Sequence, residues 1–203
     1  MNRETVLITI GVLALGLAGC GSPKPIKYYA IQIPAAPSSI KAAYPIDILV
    51  SRIKAPSLLE AAPIVYRTGV NELGTYKYHR WQDPPVELIQ TKLITLLRSS
   101  GGYQSVSGTG APSDADFVIR GRLYEFTEVD RESVSGLVTM EFELYNRRTT
   151  KIVWTHYYSQ TEPVQGKEVS AVVQALDQNL DRGLKEVVTE LGQYFAANPP
   201  KKT

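Results

Sequence analysis

The chain of 203 residues contains only two histidines and one cysteine, so it has few of the side chains that bind metal ions or act as nucleophiles. His79 and His156 are far apart in the sequence and belong to no HExxH or similar metal-binding pattern. The sequence has no GxSxG nucleophile turn and no Walker A phosphate loop. We therefore expect no enzymatic activity, no catalytic residues, no metal and no cofactor. The alternative is a periplasmic hydrolase with scattered active-site residues, which a deep polar pocket lined by His79 or His156 would favour.

Three carboxylates, Glu125, Glu128 and Asp130, are close together in the sequence and are the nearest approach to an acid–base pair. They fall at the end of a predicted strand, where such residues are far more often solvated edge positions than a glycosidase pair. The Gly-Thr-Gly of residues 108–110 lies in a predicted loop without the strand-to-helix context that a phosphate site needs. We expect neither set to perform chemistry.

An aromatic group is more informative about function. It consists of Tyr66, Tyr76, Tyr78 and Trp81. Because these side chains combine a large apolar body with a polar handle, they predict a docking surface for a partner subunit or a lipid-facing groove. Arg67 and Arg80 could pair there with partner carboxylates or lipid phosphates, or could remain in solvent. The alternative for Trp81 and the tyrosines is that they pack a helix onto the sheet.

The only cysteine, Cys20, closes an apolar N-terminal segment. The segment has a short basic start at Arg3 and an apolar core over residues 6–17, which is the length of a signal h-region. A spanning helix needs about 20 apolar residues, more than this run provides. Residues 17–20, Leu-Ala-Gly-Cys, resemble the lipobox of bacterial lipoproteins, in which the cysteine is acylated and becomes the first residue of the mature protein. An uncleaved anchor or a buried helix is the alternative.

Acylation of Cys20 accounts for a single cysteine, which cannot form an internal disulfide. Two acyl chains, such as palmitate, make a stable anchor where one chain binds only reversibly. Gly21 follows the cysteine in place of Asp, a pattern that resembles the class sorted to the outer membrane. We therefore predict a lipid-anchored protein on the periplasmic face of the outer membrane.

The charge balance argues against nucleic acid as a partner. The chain has 22 Lys and Arg residues against 20 Asp and Glu residues, a formal net charge of +2, and no Lys- or Arg-rich run. Residues 20–203 suit a single domain of ordinary size with its own hydrophobic core.

Alternating and apolar runs predict a series of strands. These runs are residues 28–33, 46–53, 64–67, 76–78, 103–106, 117–126, 139–144 and 152–158. A turn over residues 69–74 predicts a hairpin, and the last three strands predict an antiparallel meander. In the final strand Ile152, Trp154, His156 and Tyr158 are predicted to share one face.

Two amphipathic stretches predict helices. The first begins with Asp83 as N-cap and Pro84 in the first turn, and ends at residues 99–102. The second covers residues 167–195 with apolar residues at a spacing of three and four, so that it reaches about 40 Å. Its polar face is mixed in sign, which favours core packing over membrane insertion.

Together these elements predict an α+β fold, in which a mixed, largely antiparallel sheet is covered on one face by two main helices after a cleaved lipoprotein signal peptide. The predicted divisions are a signal peptide over residues 1–19, a lipidated linker over 20–26, a folded domain over 27–196 and a flexible tail over 197–203.

An ordered set of residues runs through nearly the whole predicted mature chain. It comprises Tyr28 and Tyr29, the Ile-Val-Tyr-Arg of residues 64–67, Tyr76, Trp81, the Pro-Pro of 84–85, the Leu-Leu-Arg-Ser of 96–99, the Gly-Arg-Leu-Tyr-Glu-Phe of 121–126 and the alanine- and valine-containing C-terminal helix. This set resembles the ABC-type transport auxiliary lipoprotein family. Members of that family accompany transporters built around MCE-domain proteins and include the lipoprotein of the paraquat-inducible operon.

The resemblance implies a lipid-anchored periplasmic accessory of a system that moves lipids or other hydrophobic molecules, acting by binding and positioning. The implied partners are an MCE-domain protein with its ABC permease and ATPase, and the membrane through acylated Cys20. Residues 27–196 are then the auxiliary domain, and a ring-like homo-oligomer is compatible with a partner built as a ring. The alternative is an accessory lipoprotein of another envelope assembly or secretion machine, such as a lipopolysaccharide-assembly factor.

Overall fold

A computed structural model of the protein describes residues 24–33, 42–110 and 114–200. Cys20, the predicted signal peptide and the start of the predicted linker lie outside the described residues. Within the described ranges, no helix is both long enough and apolar enough to cross a membrane.

The described residues form one sheet of eight strands and two long helices, which confirms the predicted α+β class. The strands are β1 (Lys27–Tyr29), β2 (Tyr44–Val50), β3 (Pro63–Arg67), β4 (Leu73–Trp81), β5 (Tyr103–Gly108), β6 (Phe117–Asp130), β7 (Val134–Asn146) and β8 (Lys151–Pro163). The helices are α1 (Pro85–Ser99) and α2 (Val169–Ala197).

Strand β6 organises the sheet because it has neighbours along both of its edges. On one edge its first half pairs in parallel with β2 and its second half pairs in parallel with β3. On the other edge β7 pairs with it in antiparallel fashion along its length, and β8 pairs with β7, which confirms the predicted meander. The hairpin of β3 and β4 extends the sheet outward, and β1 closes it by pairing in parallel with β4.

Both helices cover the same face of the sheet and form the core with it, as predicted. Strand β7 turns Val138, Phe142 and Leu144 toward the helices, although the buried Thr139 interrupts its alternation. The row of buried apolar side chains along α2 ends at Phe195, which is fully buried. The core therefore lies between one face of the sheet and the two helices.

Several local predictions were wrong. The strand predicted over residues 28–33 ends at Tyr29. The N-cap of α1 is Pro84 and makes no side-chain capping bond, because Asp83 lies one residue too far upstream. In β8 the register shifts by one residue between the pairs Leu144–Trp154 and Tyr145–Ile152. One extra residue in a strand turns the side chains before it to the opposite face of the sheet. Ile152 is therefore 48% exposed and does not share the buried face of Tyr158.

Candidate functional site

The β3–β4 hairpin, which carries the predicted aromatic group, is irregular. Val65 is paired with Thr75, whereas Pro63 is paired with Arg80, so that residues 76–79 lie opposite Ile64 alone. A bulge of this kind bends the strand and turns its side chains in new directions. It allows Tyr76 and His79, which are three residues apart, to bring their rings together.

A row of aromatic rings lies on the helix-covered face of this hairpin. The Tyr66 and Tyr76 rings meet edge-to-face at 5.1 Å between centroids, and Tyr76 meets His79 at 5.6 Å. Gly74 makes room for Tyr66, since a Cβ there would lie 2.4 Å from the Tyr66 ring. The ring positions are therefore set by the backbone as well as by one another.

Glu128 is the carboxylate of this row and lies on the neighbouring strand β6. It is only 7% exposed, and its Oε2 accepts a hydrogen bond of 2.7 Å from the Tyr76 hydroxyl. Burial, assisted by Asp130, raises the pKa of Glu128 although the Tyr76 bond opposes the shift. The burial of Tyr76 and its hydrogen bond to Glu128 raise the pKa of Tyr76. The expectation that Glu128 is a solvated edge residue was wrong.

Tyr29 extends the row onto β1. Its hydroxyl and His79 Nδ1 share a hydrogen bond of 2.9 Å, and the two rings are stacked at 5.7 Å. Burial, reinforced by the charges of Lys27 and Lys24, lowers the pKa of His79. The neutral imidazole is therefore favoured, and it connects the N-terminal strand to the hairpin.

Arg67 lies on the opposite face of the hairpin. Its Nη2 lies 2.6 Å from Glu125 Oε1, and its Nη1 donates a hydrogen bond of 2.9 Å to the Val70 carbonyl. Thr127 donates to the other oxygen of Glu125. Glu125 is thus the partner of Arg67 rather than an isolated surface acid, and the pair holds the turn between the two strands.

Trp81 and Tyr78 lie apart from this row. Trp81 is fully buried and packs on Phe126 at 5.1 Å between ring centroids, which is the core-packing alternative considered for it. Tyr78 lies beside two lysines, with Lys77 Nζ at 5.2 Å and Lys24 Nζ at 5.6 Å from its ring centroid. Of the five predicted site residues, Tyr66 and Tyr76 are the two whose rings meet.

The two histidines are in separate environments. His156 stacks on Trp154 at 5.9 Å, and its Nδ1 lies 2.9 Å from Glu190 Oε2, whereas His79 belongs to the aromatic row. Within the described residues, no three His, Cys, Asp or Glu side chains are grouped so that they could hold a metal ion. What the row can do is hold aromatic and carboxylate groups in fixed positions.

The architecture and this site define an α+β domain that presents ordered aromatic and charged side chains at one end of a sheet. The chain belongs to the family of ABC-type transport auxiliary lipoprotein components, whose sequence model matches residues 29–188. This membership confirms the family predicted from the residues. It makes the protein an auxiliary component associated with ABC-type transport and a membrane-anchored lipoprotein of the cell envelope.

Solved structures confirm the fold. A protein of the family DUF330 from Xanthomonas campestris is similar with a TM-score of 0.74 and 16% sequence identity, over 85% of this chain and 98% of that one. A second crystal structure, of an uncharacterized protein, is similar with a TM-score of 0.66 and 14% identity, over 83% and 99% of the two chains. Among curated proteins no match was found.

Proposed function

We propose that this chain is a lipid-anchored auxiliary component of an ABC transport system built around MCE-domain proteins. The system moves lipids or other hydrophobic molecules across the cell envelope, and this chain acts in it by binding and positioning. The observation that carries the proposal is the match of residues 29–188 to the transport auxiliary family, which covers β2 to β8, α1 and most of α2.

The proposed location is the periplasmic face of the outer membrane. The lipobox-like residues 17–20 and Gly21 support it, because acyl chains on Cys20 fasten the domain to one leaflet and no inner-membrane retention residue follows. The proposed partners are an MCE-domain protein with its permease and ATPase, and the last of these supplies the energy.

We further propose that the hairpin tip, defined as residues 67–73, contacts the partner subunit. Val70 is 74% exposed and Leu73 is 44% exposed, so two apolar side chains face solvent within one short turn. The Arg67 bond to the Val70 carbonyl holds this turn, and the rings of Tyr66 and Tyr76 lie directly behind it. A turn that is held by a hydrogen bond and exposes two apolar side chains is a favourable element for an interface, because less conformational entropy is lost when it binds.

Co-purification tests the transport role. The native lipoprotein is extracted from membranes in mild detergent and captured, and we expect an MCE-domain protein, a permease and an ATPase among the captured subunits. Capture of subunits from another envelope assembly or secretion machine would favour the alternative role. Absence of all three transport subunits would overturn the proposal.

A pair of matched variants tests the hairpin tip. Val70→Glu places a charge in the proposed interface and is expected to reduce co-purification by at least about tenfold, as for a residue at the centre of an interface. Ile152→Glu is the control, because it makes the same change at another exposed aliphatic residue on β8. Equal loss in both variants, or none in Val70→Glu, would show that the tip does not meet the partner.

A further inference from the structure

Four cations are gathered at the edge of the sheet where β1 pairs with β4. Lys24, Lys27 and Lys77 are exposed, and Arg80 is partly exposed. Tyr28 lies among them, paired with Arg80 in the β1–β4 register and 65% exposed. We call these five residues together with Tyr78 the basic edge.

The cations of the basic edge have no acidic partners among the described residues. None of the four forms an ion pair within 4.0 Å there, although the other end of the same hairpin pairs Arg67 with Glu125. Two of the lysines lie within 6 Å of the one Tyr78 ring, and Arg80 Nε is buried without a hydrogen-bond partner. Unpaired like charges gathered at one edge of the sheet form a site that an anion stabilises.

The surroundings of the basic edge leave its charge largely uncompensated. Lys24 and Lys27 both act electrostatically on His79, and the acid that acts on it is Glu168, which precedes α2. At that imidazole one carboxylate therefore opposes two lysines, while Lys77 and Arg80 lie on either side of His79 in β4.

The position of the basic edge in the chain indicates which anion it meets. Lys24 is four residues after Cys20, and four residues span at most about 14 Å when fully extended. If Cys20 carries the acyl chains of the proposed function, Lys24 cannot leave the layer just above the membrane. That distance is close to the screening length of about 10 Å in 0.1 M salt, so the charges act on the membrane surface.

We propose that the basic edge binds the phosphate groups of anionic phospholipids in the membrane that holds Cys20. Lysine ammonium groups and the Arg80 guanidinium pair with phosphodiester oxygens, and the exposed Tyr28 places an amphipathic ring at the same level. Ile26, 43% exposed, adds apolar surface beside it. The β1–β4 edge thereby lies on the bilayer.

The acyl chains on Cys20 limit the distance of the domain from the membrane, and the contact of the basic edge with the bilayer also fixes its orientation. The proposal rests on lipidation of Cys20 but requires no transport subunit. Since β1 and β4 also carry Tyr29 and His79, an edge placed on the bilayer sets the direction in which the hairpin tip points.

Lysine footprinting of the native acylated protein tests the proposal. The protein is inserted in phosphatidylcholine vesicles with and without phosphatidylglycerol, and exposed amines are acylated by a water-soluble reagent. We expect labelling of Lys24, Lys27 and Lys77 to fall several-fold in the anionic vesicles and to recover in high salt, while Lys54 and Lys151, exposed on other strands and connections, stay unchanged. Equal labelling in both vesicles, or an equal fall at all five lysines, overturns the proposal.

Charge removal provides the second measurement. Lys77→Gln alters an exposed side chain that forms no hydrogen bond with the described residues. It is expected to weaken docking of the basic edge on the anionic vesicles about fivefold, the equivalent of about 1 kcal/mol per basic residue near an anionic surface. Lys151→Gln is the matched control, and equal behaviour of the two variants counts against the basic edge. Mass spectrometry of Cys20 verifies the acyl chains, and the vesicles hold no transport subunit, so failure here is distinct from failure to capture an MCE-domain protein.

Discussion

Lys92 on α1 and Asp177 on α2 form an ion pair of 2.9 Å from Nζ to Oδ1, and this pair joins the two helices. The Lys92 side chain is only 2% exposed, and a second carboxylate, Asp181, lies 3.2 Å from the same nitrogen. The other oxygen of Asp177 accepts the Gln32 backbone N–H at 3.0 Å. Asp177 therefore connects both helices with the segment that follows β1.

Removal of Asp177 is expected to destabilise the domain more than removal of the lysine charge. Asp177→Ala leaves the buried Lys92 ammonium with one partner and the Gln32 N–H with none, so we expect the free energy of unfolding to fall by about 3 kcal/mol. Lys92→Met keeps the side-chain volume and leaves two carboxylates that reach solvent, so its cost is smaller. Urea unfolding of both variants measures the order, and a larger loss in Lys92→Met would contradict this account.

The stability of the helix pair is expected to decrease in acid through Asp181. Burial alone raises the pKa of Asp181, but the hydrogen bond from Lys185 and the charge of Lys92 outweigh it and hold the pKa below its usual 3.8. A carboxyl with a lowered folded-state pKa contributes stability above the unfolded-state value and loses it as pH falls through the folded-state value. The loss is therefore expected below about pH 3.8.

Asp181→Asn tests this dependence by removing the titrating group. Unfolding is followed from neutral pH down to below pH 3.8, and the variant is expected to show a flatter decline than the parent protein. Parallel declines in the two proteins would show that other carboxylates account for the acid sensitivity.

Glu128 is expected to behave in the opposite sense. Burial raises its pKa above 4.5, so its charged form disfavours folding at neutral pH, and this penalty disappears as pH falls through the raised folded-state value. Glu128→Gln removes the charge and keeps an oxygen that accepts the Tyr76 hydroxyl. We expect the variant to be more stable than the parent at pH 7, and the difference to vanish below pH 4.5.

Glu128→Ala serves as the control because it removes the acceptor as well as the charge. It leaves the partly buried Tyr76 hydroxyl without its partner, which costs about 1–3 kcal/mol. If Glu128→Gln were instead as unstable as Glu128→Ala, the charge itself would be needed in the fold.

The position of Glu128 also illustrates what the sequence could not predict. A strand was predicted over residues 117–126, but the register of β6 against β7 shifts between Leu123 and Glu125. Tyr124 is the extra residue, and after it Phe126 and Glu128 face the helices. The position of Glu128 at the end of the predicted strand indicated a solvated carboxylate. Continued alternation from Leu123 would also have turned it to solvent, whereas the bulge turns it toward the helices.

Elements with long regular patterns could be predicted from the sequence, whereas contacts between residues that are distant in the sequence could not. The spacing of three and four residues in α2 persists through Leu176, Leu180 and Leu184, all fully buried, and it predicted the helix to within two residues at each end. Nothing in the residues around Tyr29 indicated a parallel pairing with β4 or a bond to His79, because such contacts depend on strands that are distant in sequence. The aromatic group was visible from composition, but its division into a row, a core residue and a basic edge required the register.

The final prediction concerns Cys20, which precedes the described domain. Cys20→Ala removes the thiol that receives the acyl chains and alters no residue of the sheet or helices, so we expect the fold to be intact and the protein to be released from or mislocalised in the membrane. Membrane fractionation, palmitate labelling and circular dichroism measure location, acylation and fold in the same preparations. Because two acyl chains bind far more strongly than four cations, the basic edge cannot retain the unacylated protein. Membrane association of Cys20→Ala equal to that of the parent protein would show that the lipobox interpretation is wrong.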